Sequence, residues 1–387
     1  MAQIAENWLS DPATQSITQA LTRAGAAVYF VGGCVRDSLL KRPISDVDIA
    51  TDAEPTEVTR ICEQSNLRVI PTGIHHGTVT VISDGKAYQI TTFRRDVKTD
   101  GRRAQVAYSS SLETDARRRD FTMNALYCTP EGKVIDVVNG IHDLTEGKVR
   151  FVGNPKDRIK EDLLRSLRLF RFFAWYGNPK IGIDKAARTA VTQNLDQLAT
   201  LSRERVGAEV LRLLAAENPT PAITIMEETG ILQVILPRAC VKHLVALVNL
   251  GVESDPVQCL AAFGGDRQEP LRLSNRDANR VRRLQQIAES DESPELLGYR
   301  YGARDAVSGL ELRAARSQTR LTSSKRKAAV AGSRHRFPVR SRDLSDRFTG
   351  AQLGKALKRL EGRWIASGFS LSRSELLKSI EAVEDFT

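Results

Sequence analysis

Asp46 and Asp48 stand two residues apart in ISDVDIAT, residues 44–51. In a strand, side chains at i and i+2 face the same way, so this spacing predicts two carboxylates projecting together. Hard oxygens so placed suit Mg²⁺, which takes one or two protein carboxylates and completes its shell with water and substrate phosphates. The pair therefore points to a phosphate-bearing substrate. Upstream, the apolar AAVYFV (26–31) ends at Gly32-Gly33, with Arg36 three residues further on. Glycines there let backbone N–H groups approach a triphosphate closely, and the arginine adds a charge. The spacing is not GxxxxGK[ST], which excludes a Walker loop. Alone, the same residues read more readily as a tight turn and a solvated strand end.

Two more constellations follow. RRDFTMNAL, 118–126, preceded by Arg117, reads as a charged helix N-terminus ahead of an apolar run. In EDLLRSLRLFR, 161–171, a continuous helix would string Asp162, Arg165, Arg168 and Arg171 along one slowly drifting stripe, with Leu164, Leu167, Phe170 and Phe173 on an apolar one. As surface ion pairs these residues would contribute only ~0.3–0.5 kcal/mol. Facing a cleft, an aspartate and arginines offer one acceptor and several donors to a base edge. His75-His76 lacks acids or cysteines at ligand spacing and reads as a loop. Cys34, inside the glycine motif, and Phe170, Phe172, Phe173 and Trp175 read as packing residues.

The elements that must carry these residues change character along the chain. GTVTVIS (77–83) and AYQITTF (87–93) alternate and meet through Asp84-Gly85, a favoured hairpin turn, while PTEVTRICEQ (55–64) has helical spacing. The first third is thus a mixed sheet with helices. From about residue 155 the apolar residues recur at three- and four-residue spacing, and the remainder reads as helical. The basic stretch 312–342 reads as a linker or loop. At 387 residues the chain exceeds one ordinary core, so two to four domains are expected. Five scattered cysteines without a CxxC pair argue against a disulfide framework or zinc site and suit the cytoplasm. No secretory signal or membrane-length apolar run is visible. A formal charge of +10 suits a polyanionic partner such as nucleic acid.

Taken in order and spacing, GGCVRD with DVD, RRDFTMNA, DVVNGIHDL (136–144), EDLLRSLR and LSRERVGAEVLRLL (201–214) resemble the class II tRNA nucleotidyltransferases, which include CCA-adding enzymes and bacterial poly(A) polymerases. A weaker echo in FPVRSRDL and LKRLEGRWIASGF resembles the tail of the same proteins. The resemblance implies an α+β architecture: a polymerase-β-type nucleotidyltransferase head, a mixed sheet with helices, over 1–154. All-α neck (155–215), body (216–330) and tail (331–387) follow.

By the same resemblance Asp46 and Asp48 bind two Mg²⁺, Gly32, Gly33 and Arg36 hold the triphosphate, and Arg119, Asp120 and Asn124 bind the nucleotide. Asp162 and Arg165 read the incoming base, lined by Arg168 and Arg171. The implied activity is template-independent addition of C, C and A to tRNA 3′ ends from CTP and ATP, with release of pyrophosphate. Gln89 stands where some relatives carry an acid, which leaves Asp96, Asp100 and Asp120 as candidates for a third carboxylate. Arg94, Arg95 and Asp96 with DGRR (100–103) resemble a loop that helps the switch from CTP to ATP. RVIPTGIHHGTVTV (68–81) and Leu163 depart from the poly(A) polymerase pattern. Poly(A) polymerase, an A-adding enzyme and a non-catalytic RNA-binding protein are the alternatives. Arg313, Arg316, Arg320, Lys325, Arg326, Lys327, Arg334 and Arg336 are expected to meet tRNA phosphates.

Overall fold

The computed structural model describes residues 2–71, 73–100, 103–253, 255–265 and 268–381. It forms two compact units, Met1–Ala239 with Glu269–Arg272, and Cys240–Gln268 with Leu273–Thr387. The sheet-to-helix transition near 155 is as expected. The division between units falls near 240, so the expected head and neck lie in one unit.

The first unit is built on strands β1 (Val28–Val31), β2 (Asp48–Thr51), β3 (Arg68–Ile70), β4 (Thr78–Ser83), β5 (Lys86–Thr92), β8 (Leu126–Cys128) and β9 (Val134–Asp136), in the order β3-β4-β5-β2-β1-β8-β9. Only β2 and β5 pair in parallel; the other neighbours are antiparallel. β6 (Arg94–Asp100) and β7 (Arg103–Tyr108) form a separate hairpin. The Asp84-Gly85 turn joins β4 to β5 as the alternation required, and helix Pro55–Gln64 forms over the residues whose spacing predicted it. One face of the sheet buries Val31, Ala50, Phe93, Ala116, Tyr127 and Val152 together.

Three expectations are corrected. RRDFTMNAL does not begin a helix. Arg118 ends the helix Leu112–Arg118, Arg119 turns the chain to extended backbone, and the segment continues through a 3₁₀ turn, Thr122–Asn124, into β8. The stripe through Asp162 is also broken. Helix Pro155–Glu161 stops there, Asp162 is extended (φ −150°, ψ 109°), and helix Leu164–Tyr176 starts anew. The Asp162 carboxylate accepts the Leu164 N–H at 3.0 Å, so capping the second helix competes successfully with continuing the first. Finally, the basic stretch 312–342 is no linker, since it contains the end of helix Pro294–Arg316 and all of helix Ser323–Gly332.

In the second unit those two helices cross closely through small residues. A Cβ on Gly298 would lie 1.9 Å from the Ala329 carbonyl oxygen, and one on Gly332 1.9 Å from that of Glu295. The tail-like segment has a core of its own, in which Trp364 and Leu360 of helix Gly350–Ala366 pack on Val339, Leu344 and Leu376.

Candidate active site

The antiparallel register Phe30↔Ile49 sets the end of β1 against the start of β2, so the glycine turn and Asp48 are neighbours. Gly32 has φ +76°, a conformation closed to most side chains, and ends β1 with its N–H bonded to the Leu126 carbonyl. Gly33 opens the helix Gly33–Leu39. β2 begins at Asp48, so Asp46 precedes the strand and is exposed, whereas Asp48 is partly buried. Burial pushes the Asp48 carboxyl up; Arg119 opposes this and the nearby charge of Asp46 adds to it. A partly buried carboxylate beside an exposed one, with their repulsion offset only in part by Arg119, has the donor chemistry of a Mg²⁺ site. Among the described residues no group of three or more His, Cys, Asp or Glu is placed to hold a metal. Gln89 lies directly beside Asp48 in the parallel β2–β5 register, which is where a third acid from β5 would stand. Asp96 and Asp100 fall on β6, and their side chains lie outside the described residues.

Behind the glycines a buried chain of charges runs toward helix Leu164–Tyr176. Arg36 donates to both oxygens of Asp37, at 3.0 and 2.8 Å, and through Nη1 to the Asn124 side-chain oxygen at 2.6 Å. Its guanidinium lies 4.3 Å from the centre of the Tyr176 ring. Asn124 in turn donates to Asp120 at 3.0 Å, and the other Asp120 oxygen takes Nε of Arg168 at 2.8 Å and its Nη2. Burial raises the Asp120 carboxyl, but Arg168 and the hydrogen bonds outweigh it and bring its pKa to about 2. Arg119 is held against Asp115 at 3.0 Å and the Tyr127 hydroxyl at 3.1 Å, and its Nη1 faces the turn, 3.7 Å from where a Cβ on Gly32 would stand.

Asp162 and Arg165, expected to read the base together, have different side-chain partners. Arg165 donates to Glu161 at 2.6 Å and to the carbonyls of Arg158 and Arg118. Asp162 instead accepts Arg205 at 2.8 Å. Arg171 pairs with Glu209 at 3.1 Å; burial leads in lowering its pKa, to about 10, with Arg168 and Arg212 adding and Glu209 opposing. Arg205, Glu209, Asp37, Asp115 and Tyr127 were given no role on sequence. Arg205 and Glu209 stand four apart in RERVGAE, a spacing that marks one helix face. Their partners lie 43 and 38 residues away, beyond any local pattern.

Cys34 is buried, with its thiol pushed up to about 12 by that burial, so it packs and does not attack. Phe170, Phe172 and Phe173 are buried as expected, whereas Trp175 is exposed and donates to the Arg212 carbonyl. Of the basic residues in the second unit, Arg313 turns inward to the Ile287 carbonyl and Arg316 is paired with Glu289 at the surface; Arg320, Lys325, Arg326, Lys327, Arg334 and Arg336 are exposed.

An acidic pair beside a glycine turn, on a mixed sheet followed by helices, is the arrangement that a nucleotidyltransferase head requires. Residues 28–150 match the Poly A polymerase head domain, and residues 181–242 match the family described as "Probable RNA and SrmB- binding site of polymerase A". The chain is similar to nucleotidyltransferases built on that head, and in particular to CCA-adding enzymes. It is 42% identical to that of Bacillus velezensis over 215 residues, 55% of this chain and 52% of the relative, and 44% identical to that of Lacticaseibacillus paracasei over 200 residues, 51% and 48%. The chain thus spans about half the length of the curated relatives it matches. Its fold matches the Bacillus stearothermophilus CCA-adding enzyme in complex with CTP, with a TM-score of 0.74 at 27% identity, over 96% of this chain and 98% of that one. It also matches the Thermotoga maritima CCA-adding enzyme complexed with tRNA, at 0.67 and 18%, over 99% of each.

Proposed function

We propose that the protein is a CCA-adding tRNA nucleotidyltransferase, taking CTP and ATP and extending tRNA by C, C and A. The observation that carries this reading is the meeting of Asp46, Asp48 and Arg119 at the Gly32-Gly33 turn, joined through the Arg36–Asn124–Asp120–Arg168 chain to the helix that follows Asp162. Asp46 and Asp48 are the residues that would hold Mg²⁺. When bound, Mg²⁺ supplies charge stabilisation at the attacking ribose oxygen and the departing pyrophosphate. Gly32 and Gly33 let the triphosphate approach backbone N–H groups, and Arg36, fully engaged by Asp37 and Asn124, acts as a fixed buried charge beneath it. Arg119, steadied by Asp115 and Tyr127, faces the same turn.

Base choice falls to Asp162. A carboxylate accepts from the exocyclic amino group that cytosine and adenine share, and uracil and guanine lack an amino group at that edge. Arg165 reaches a base only by releasing one of its bonds to Glu161, Arg158 or Arg118, while Arg168 and Arg171 line the neighbouring helix face. The exposed basic residues of the second unit, Lys325 and Lys327 among them, are proposed to meet tRNA phosphates. Free thiols at all five cysteines are in keeping with the cytoplasm, and no described helix is long and apolar enough to cross a membrane.

Poly(A) polymerase is the second reading, favoured by the head-domain match. The test supplies purified protein with tRNA lacking its 3′ end, Mg²⁺ and each labelled nucleotide. CCA addition is expected from CTP and ATP together, and D46N or D48N should lower it by about 10²-fold or more. A long adenosine tail moves the assignment to poly(A) polymerase, addition of A alone to CC-ended tRNA to an A-adding enzyme, and no incorporation leaves only RNA binding.

A further inference from the structure

We infer that Arg205 is a specificity-determining residue that acts by positioning Asp162, an inference that rests on the reading of Asp162 as the residue that selects the base. Asp162 lies at the break between two helices, where a side chain on extended backbone would ordinarily rotate. Both of its oxygens are tied. One accepts the Leu164 N–H at 3.0 Å and the other accepts Nη2 of Arg205 at 2.8 Å. The terminal torsion of an aspartate is broad and roughly two-fold, so two bonds on opposite oxygens are what fix the plane of the carboxylate.

The anchor is itself rigid. Arg205 stands on helix Arg203–Leu214, which buries Val206, Val210 and Leu213. Gly207 lets that helix approach closely enough that a Cβ there would lie 2.2 Å from the Leu271 carbonyl oxygen. Four residues beyond Arg205 on the same face, Glu209 holds Arg171 at 3.1 Å. One helix face therefore steadies both Asp162 and Arg171, while Arg165 is turned to Glu161 and Arg118.

Each carboxylate oxygen has two lone pairs, so the oxygen bonded to Arg205 retains one for a base amino group. Held in plane, it meets the amino group of cytosine or adenine as an acceptor. It meets the carbonyl of uracil or guanine as lone pair against lone pair. Without Arg205 the carboxylate turns aside, and the penalty against the wrong base falls.

The measurement is kcat/KM for CTP against UTP, and for ATP against GTP, in R205Q, R205M, R205K, D162A and the double variant D162A/R205Q, with melting curves to establish folding. R205M retains the unbranched stem of the arginine and stands in if R205Q does not fold. R205Q and R205M should each lower selectivity by about tenfold, R205K should recover part of it, and R205Q should change nothing further in D162A. Selectivity within about twofold of the unmodified protein in R205Q and R205M, with D162A relaxed, overturns the role of Arg205 and leaves that of Asp162 standing. Unchanged selectivity in D162A overturns the base-reading assignment itself.

Discussion

At the scale of single residues the site depends on charges that are buried and paired. Asp120 accepts from Phe121 N–H, Asn124 and Arg168, and its carboxyl is held near 2 against burial, which alone would raise it. A carboxyl depressed in the folded state contributes stability that is complete above its unfolded value, near 4, and lost as pH falls toward 2. The shift corresponds to roughly 2 kcal/mol. D120N should therefore melt below the unmodified protein at pH 6, and the gap should narrow as pH is lowered from 5 to 3. A gap independent of pH would assign the loss to packing. The strand ending at Gly32-Gly33 was legible in the sequence because its signal is local, whereas the expected placing of both acids on one strand is corrected, since Asp46 lies before β2 and only Asp48 is on it. The partners of Asp120, Asp162 and Arg171 were not legible. Arg168, Arg205 and Glu209 reach them from elements 48, 43 and 38 residues away, and which arginine meets which acid is decided by helix packing.

At the scale of elements, helix Pro55–Gln64 and the β4–β5 hairpin were readable because apolar period and turn chemistry agree there. Sequence reading failed at Asp162 and at Arg118–Asp120, where a helical apolar period runs on while a carboxylate offers the backbone another partner. Asp162 caps Leu164, and Asp120 takes the N–H of Phe121. The strand–turn–helix that carries the glycines is the element on which the site depends most. Gly32 sits at φ +76°, and a Cβ there would find 3.7 Å to Arg119 and 3.8 Å to the Asn124 carbonyl oxygen, both ordinary contacts. G32A is therefore strained by its backbone and not by a clash, at a cost of about 1–2 kcal/mol. The melting transition of the first unit should fall by roughly 2–8 °C, followed by calorimetry. The same relaxation of the turn should raise KM for nucleotide more than KM for tRNA. An unchanged melting temperature would mean that the turn readily adopts another conformation.

At the scale of the whole molecule, the surplus of 57 Lys and Arg over 47 Asp and Glu is distributed unevenly in what it can do. In the first unit most arginines at the site are committed: Arg36 to Asp37, Arg119 to Asp115, Arg168 to Asp120, Arg171 to Glu209. These set local chemistry and contribute little long-range attraction. In the second unit Arg313 and Arg316 are likewise occupied, and Arg326 pairs with Glu311, but Lys325, Lys327 and Arg334 are exposed. A guanidinium already bonded to a carboxylate releases few counterions on meeting a phosphate, whereas an exposed lysine releases about one. The slope of log affinity for tRNA against log salt should therefore fall by roughly 0.7–0.9 for each exposed residue lost, so K325E/K327E should shallow it by about 1.5 and raise the tRNA KM with the nucleotide KM unchanged. R313Q should leave the slope as it was while lowering thermal stability, because its guanidinium caps the Ile287 carbonyl inside the unit. Equal slopes for K325E/K327E and the unmodified protein would move the tRNA surface off helix Ser323–Gly332.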